Sequence, residues 1–291
     1  MEEQPVYSGI FEKLEESGEM VAPDTTITRF YKQDIAENQY THLDGPVNPE
    51  VHRFSNPQEA AKLIEEFARA AGADLVGFTD VKESFVFKRV TIDHGFAVVI
   101  GLEMDHELIQ TAPESPSGVE VLRAYWRLAE VSIKVGAFIR SLGYPALVHH
   151  PRSYAGFPPT ILQTVAGVEA GFGEVGRLGV LITEEFGPRV RIATVTTDLE
   201  LPKGTRKEFG VKEFCTGCTV CQEACQGDAI PDQQEVVRGH LKYTIDPWKC
   251  LPEFAKYDGC NLCVAKCVFN KPRDEIGTFV EFVKSQRTGC K

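Results

Sequence analysis

The chain has 291 residues, 43% of them hydrophobic, enough to bury a substantial core and to form one large domain beside a small one. A formal net charge of −11 disfavours a nucleic-acid surface, which needs clustered Lys and Arg, so no DNA partner is predicted. No run approaches the roughly 20 apolar residues of a membrane helix, and Met1–Glu15 lacks both a basic and an apolar targeting region. The expectation is therefore a cytoplasmic protein with no membrane segment.

Residues 1–54 scatter Pro, Gly and charge among aromatics such as Tyr7, Phe11, Phe30 and Tyr31, and read as an arm wrapping the body. Ser55-Asn56-Pro57 then supplies a cap and a first-turn proline, and Ala60, Leu63, Ile64, Phe67, Ala68 and Ala71 recur at helical spacing until Gly72. Ala73–Thr79 and Phe96–Leu102, short apolar runs bounded by Gly, Asp and charge, predict buried strands. The longest periodic segment follows Pro116-Ser117-Gly118 and reaches Gly143, with Val121, Tyr125, Leu128, Val135, Ile139 and Leu142 along one stripe of a long helix. Tyr144–Val148 predicts the next strand. The loop from His149 and His150 to Pro159 is rich in polar and ring-bearing residues, a composition that more often serves function than packing.

Thr160–Ala170 predicts a helix. In Gly171-Phe172-Gly173-Glu174-Val175-Gly176-Arg177-Leu178-Gly179 the glycines bring backbone close to something before a strand at Val180–Thr183. Because a strand follows in place of a helix, and the acidic residue expected about 20 positions on has no clear counterpart, a nicotinamide-binding turn is disfavoured. A glycine-lined wall for a flat cofactor and an ordinary tight turn both stay open. Pro188–Val195 alternates as a strand should, completing a mixed α/β (α+β) body over 55–205. A basic linker, Lys203–Lys207, leads into a cysteine module over 206–291.

All nine cysteines fall in that module, eight of them between Cys215 and Cys267. Cys215, Cys218, Cys221 and Cys225 form C-x2-C-x2-C-x3-C, and Cys250, Cys260, Cys263 and Cys267 form C-x9-C-x2-C-x3-C. Zinc is the alternative for any cysteine pair, but a third cysteine within seven residues suits three corners of a [4Fe–4S] cube. The bacterial ferredoxin rule, in which the fourth cysteine of a run ligates the other cube, assigns Cys215, Cys218, Cys221 and Cys267 to one cluster. Cys225, Cys250, Cys260 and Cys263 take the other. Cys290 is left over as a free thiol near the end of the chain. The concentration of closely spaced cysteines suits reduced, metal-bound thiols in a cytoplasmic compartment.

Several further runs occur in a fixed order: Ala124-Tyr125-Trp126-Arg127-Leu128-Ala129, Ala137–Tyr144, Glu169–Gly179, Glu185–Arg191, both cysteine runs and Asn270-Lys271-Pro272. Over roughly residues 57–275 this order resembles the corrinoid and iron–sulfur reductive dehalogenases. Epoxyqueuosine reductase is similar in architecture. The resemblance implies a nitroreductase-like corrinoid-binding domain followed by a two-cluster bacterial ferredoxin-like module, with a base-off cobalamin (a corrinoid) between them. It implies reductive cleavage of a carbon–halogen bond in an organohalide, with electrons from a ferredoxin or flavodoxin, and it allows a homodimer.

For the corrinoid, Gly171, Phe172, Gly173, Gly176 and Gly179, with His149 and His150, are the implied contacts. For the proton donor the resemblance lands on Tyr125. Phenols ordinarily titrate near about 10, so a cation such as Arg177, Arg189 or Arg191 would be needed to stabilise the phenolate. Gln226 and Val268 stand where prolines usually follow each run, and His149-His150-Pro151-Arg152 stands where a supporting asparagine is expected. A tRNA-modifying reductase and a non-catalytic electron-transfer or corrinoid-handling protein are the alternatives.

Overall fold

The computed structural model describes residues 34, 42–88, 90–150, 160–237, 240–257 and 259–288. Cys290, the loop from Pro151 to Pro159 and most of the arm lie outside them. Helix α1 (Pro57–Ala70) begins where the Asn56 side chain accepts the Glu59 amide, and buries Ala60, Ala61, Ile64 and Ala68. It leads into β1 (Leu75–Asp80), which pairs antiparallel with β2 (Phe96–Glu103). After the short α2 (His106–Gln110), capped by Asp105, comes α3 (Ser115–Ser141), 27 residues long. The body continues through β3 (Ala146–His149), α4 (Gln163–Glu169), the hairpin of β4 (Gly173–Val175) with β5 (Leu181–Thr183), and β6 (Val190–Thr197). Helix α4 starts later than its composition predicts, because Ile161 bridges Val86 and the Thr160 carbonyl accepts from Phe87.

The main sheet has the order β1-β2-β6-β3, every pair antiparallel, which places the body on the α+β side of the expectation. One face packs Val98, Ile100, Val148, Ala193 and Val195 against Ile64 of α1 and Leu128, Val131 and Val135 of α3. The opposite face sets Val99 and Ile192 against Ala166 and Phe172. Part of the arm follows the body: the Leu43 carbonyl accepts from Val148, while Asn48 and His52 donate to the Arg140 and Leu142 carbonyls at the end of α3.

The cysteine-bearing end comprises α5 (Val211–Gly217), α6 (Val220–Glu223), a hairpin of β7 (Glu235–Val237) with β8 (His240–Lys242), α7 (Pro247–Lys256), α8 (Leu262–Ala265) and α9 (Arg273–Thr288). It shares one core with the body, where Val121, Ala124, Leu178 and Ile182 pack with Cys215, Tyr243, Val264, Phe269 and Ile276. Among the described residues no helix is long and apolar enough to cross a membrane.

Candidate functional site

Eight cysteines of the two runs are free thiols, with Cys215, Cys221 and Cys267 buried and the others half-buried. Burial pushes Cys221 and Cys250 up to about 11 and Cys263 up to about 12, and it raises Cys215, Cys260 and Cys267 as well. Neighbouring thiols add to the effect, and they do so in two sets. Cys215, Cys218, Cys221 and Cys267 act on one another. So do Cys225, Cys250, Cys260 and Cys263, with Cys221 reaching across to Cys263. The fold thus brings together the same fours that the spacing groups.

Thiols so reluctant to ionise become thiolates only against concentrated positive charge, which is what an iron centre supplies. Among the described residues no three His, Cys, Asp or Glu side chains converge on a point that could hold a single ion. A cube, which takes each thiolate on a separate iron, asks for no such point. The donor set fits two clusters.

The first run is gripped by the β4–β5 hairpin. Glu174 is buried, and one of its carboxylate oxygens accepts the amides of Phe209, Gly210 and Val211 at 2.6, 2.9 and 3.2 Å, satisfying the start of α5. Arg177, 3% exposed, takes the other end of that helix: Nε donates to the Cys215 and Cys218 carbonyls, and Nη2 to those of Cys215 and Thr216. Nη1 reaches the Pro231 and Asp232 carbonyls and Gln222, and the guanidinium lies 4.4 Å from the centre of the Tyr243 ring. Acid at the amino end and base at the carboxyl end both complement the helix dipole.

The second run meets the body through a close backbone approach and through side-chain hydrogen bonds. Gly259 has φ +119°, and a Cβ there would stand 3.0 Å from Gly118 Cα in the first turns of α3. Asn261 donates to Ser117 Oγ at 3.0 Å. Farther on, fully buried Arg189 donates to the Lys271 carbonyl at 2.9 Å, to the Met104 carbonyl, and to Glu103 at 2.6 Å.

These positions bear on which cation stands beside Tyr125. Arg177 and Arg189 are both committed to holding the cysteine-bearing end, whereas Arg191 stands over the Tyr125 ring, 5.2 Å from its centre. The alternation of β6 puts Arg191 on the side of Ala193 and Val195, which faces α3. The Nε of Arg191 is buried without a hydrogen-bond partner among the described residues, so a polar acceptor fits against it. His150 Nε2 meets the Tyr125 carbonyl at 3.0 Å.

His149 points elsewhere. It lies opposite Thr194 in the β3–β6 ladder and so faces α4, with Nδ1 2.7 Å from Thr160 Oγ1 and Nε2 2.8 Å from Thr196 Oγ1. Burial, then the neighbouring His94, brings its pKa down to about 4.

The glycines of the 171–179 run also approach the protein's own chain. A Cβ on Gly171 would meet the Thr205 carbonyl at 2.5 Å, one on Gly173 the Ile182 carbonyl at 2.0 Å, and one on Gly179 Ile245 at 2.6 Å. These approaches account for the glycine at each of the three positions. Phe172 packs in the core beneath α4. A cleft of about 480 Å³ opens beside α5, lined among others by Glu169, Arg206, Lys212, Thr216 and Leu241, and Tyr125 is not part of its lining. Sequence reasoning did not single out Glu174, Tyr243 or Asn261. An acid three residues before an arginine in a glycine-rich turn was the available signal for Glu174.

No protein-family model matches the chain. Tetrachloroethene reductive dehalogenase from Desulfitobacterium hafniense is 32% identical over 280 aligned residues, covering 75% of this chain and 49% of that relative. The chain therefore spans about half the length of the curated relatives it matches. A solved catabolic reductive dehalogenase superposes with a TM-score of 0.77 at 25% identity, over 87% of this chain and 38% of that one. Epoxyqueuosine reductase from Lactococcus garvieae is 25% identical over 118 residues, covering 38% of this chain and 32% of that relative.

Proposed function

This chain belongs to the reductive dehalogenase family, and on that premise we propose that it is an oxidoreductase cleaving the carbon–halogen bond of a small organohalide, R–X + H⁺ + 2 e⁻ → R–H + X⁻. The observation that carries the reading is Tyr125, packed against the core that holds the cysteines, with the Arg191 guanidinium over its ring. When bound, cobalamin supplies a reducible cobalt, and two [4Fe–4S] clusters on the two sets of four cysteines supply electrons one at a time.

Tyr125 gives its phenolic proton to the carbon that loses halide, and the fixed charge of Arg191 holds the phenolate that remains. His150, bonded to the Tyr125 carbonyl, steadies that turn of α3. The shared apolar core keeps water from competing as proton donor. Residues 55–205 serve as a nitroreductase-like corrinoid-binding domain and 206–291 as a ferredoxin-like module, with a ferredoxin or flavodoxin as electron donor. No observation favours a tRNA nucleoside as substrate over an organohalide.

Anaerobic reconstitution with iron, sulfide and cobalamin tests the reading. Metal analysis should find about eight irons and one cobalt per chain. On a panel of halogenated phenols and alkenes, Tyr125→Phe should lower turnover by about 10²–10⁴. Zinc in place of iron would refute the clusters, and equal turnover by both proteins would remove Tyr125 from the chemistry.

A further inference from the structure

Arg177 is a buried cation whose described partners are five backbone carbonyls, the Gln222 amide oxygen and the Tyr243 ring, with no carboxylate among them. Carbonyl dipoles solvate a guanidinium but do not neutralise it, and a buried charge without a counter-charge is strongly disfavoured. The nearby carboxylate, Glu174, is spent on the amides that begin α5. What remains close to Arg177 is the first set of thiols: its guanidinium donates to the Cys215 and Cys218 carbonyls, and it acts electrostatically on Cys215 and Cys221.

Among the described residues the second set has no equivalent. Lys256 acts on Cys260 from an exposed position, where solvent screens it. The amino end of α3, which Gly259 touches, is equivalent to about half a charge at most.

We infer that Arg177 is the counter-charge of the cluster held by Cys215, Cys218, Cys221 and Cys267, and that it makes this cluster the higher in reduction potential of the two. The inference rests on the reading of the thiols as two [4Fe–4S] sites. Four thiolates leave each cube net negative, and reduction by one electron adds one further unit of negative charge. A fixed buried cation stabilises the reduced form more than the oxidised form, and the potential rises with it. The first electron to enter the chain therefore rests on this cluster. Arg177 acts as a positioning and tuning residue, since it touches neither substrate nor reacting atoms.

The experiment is a potentiometric titration of the anaerobically reconstituted full chain, followed by EPR, with iron content measured on each sample. Cys218→Ser marks the first cluster by changing its signal, and the marked signal should belong to the couple of higher potential. In Arg177→Gln that couple should fall while the other stays. At a fixed poise, its ratio of reduced to oxidised cluster should drop at least tenfold, which is about 59 mV for one electron. Arg177→Lys, which keeps a charge but loses the fork of donors, should stay within about threefold of the unaltered chain, about 28 mV on the same scale.

A merely structural Arg177 would lose iron in both variants without moving the potential of whatever cluster remains. That result, or a marked signal belonging to the lower couple, overturns the assignment. Where Arg177→Gln does not assemble, the order of potentials marked by Cys218→Ser decides. A chain that binds no iron overturns the two-cluster reading itself, and its lack of any titrating signal distinguishes that failure from this one.

Discussion

The first cysteine run meets the body through side-chain charge, with Glu174 and Arg177 taking the two ends of α5 from one hairpin. The second meets it through a close backbone approach and an uncharged side-chain hydrogen bond, with Gly259 against Gly118 and Asn261 against Ser117 at the start of α3. A charged grip can be graded by substitution, since charge and hydrogen-bonding capacity can be removed separately. A backbone contact has no such intermediate: either the two chains approach or they do not. One protein thus holds two similar cysteine runs by means that should respond to different perturbations.

The largest effect should come from breaking the partition of ligands between runs. Cys225 lies in the first run but acts electrostatically on the second set. Cys225→Ser should therefore lose about four irons from the cluster that Cys260→Ser also disturbs. Loss of the cluster marked by Cys218→Ser instead would abolish the crossed arrangement and with it the comparison.

Acid provides a reference that touches neither anchor. His149 is held neutral in the sheet with a pKa near about 4, against 6.5 when free, so its protonation favours the unfolded chain. Its contribution is intact above pH 6.5 and is lost progressively as pH falls toward 4, reaching about 3 kcal/mol. Denaturant titrations of the intact chain should show this slope, and His149→Gln should flatten it. A slope that instead followed substitutions at Arg177 or Gly259 would place the acid-sensitive step at an anchor.

At the second anchor, Gly259→Ala forces a side chain into positive φ and against Gly118, and should cost about 1–3 kcal/mol in chemical denaturation. An unchanged midpoint would mean that this approach is looser than the backbone shows. Ser117→Ala removes the hydroxyl that Asn261 donates to, and should cost about 1 kcal/mol by the same measurement. An equal loss in an Asn261→Ala background would show the pair to be uncoupled.

What the sequence made legible follows from the range of the forces involved. Helix α1 was readable because Asn56 and Pro57 act within one turn, and α3 because its apolar stripe is long enough to be unmistakable. The two groups of four thiols were readable because a cluster rule fixes spacing along the chain. The glycine run was half readable: its residues announced close approach, but that the approach is to Thr205, Ile182 and Ile245 is decided by segments distant in sequence. The arginines show the limit most clearly. Arg177, Arg189 and Arg191 were equivalent as candidates beside Tyr125, and only the start of β6 at Val190 determines that Arg191 faces α3. Charge identity is local information, whereas its destination is tertiary.

Helix α3 adds a mechanical consequence. Gly118, its contact with the second cysteine run, and Tyr125 lie seven residues apart on one uninterrupted helix, about 10 Å along its axis. On the proposed function the helix is a gauge between the second cysteine run, as holder of electrons, and Tyr125, as source of the proton. Its tolerance is small, because one residue inserted between Gly118 and Tyr125 would advance the phenol by about 1.5 Å and swing it about 100° around the axis. Drift along this chain segment can proceed by substitution, while insertion and deletion there change the calibration itself.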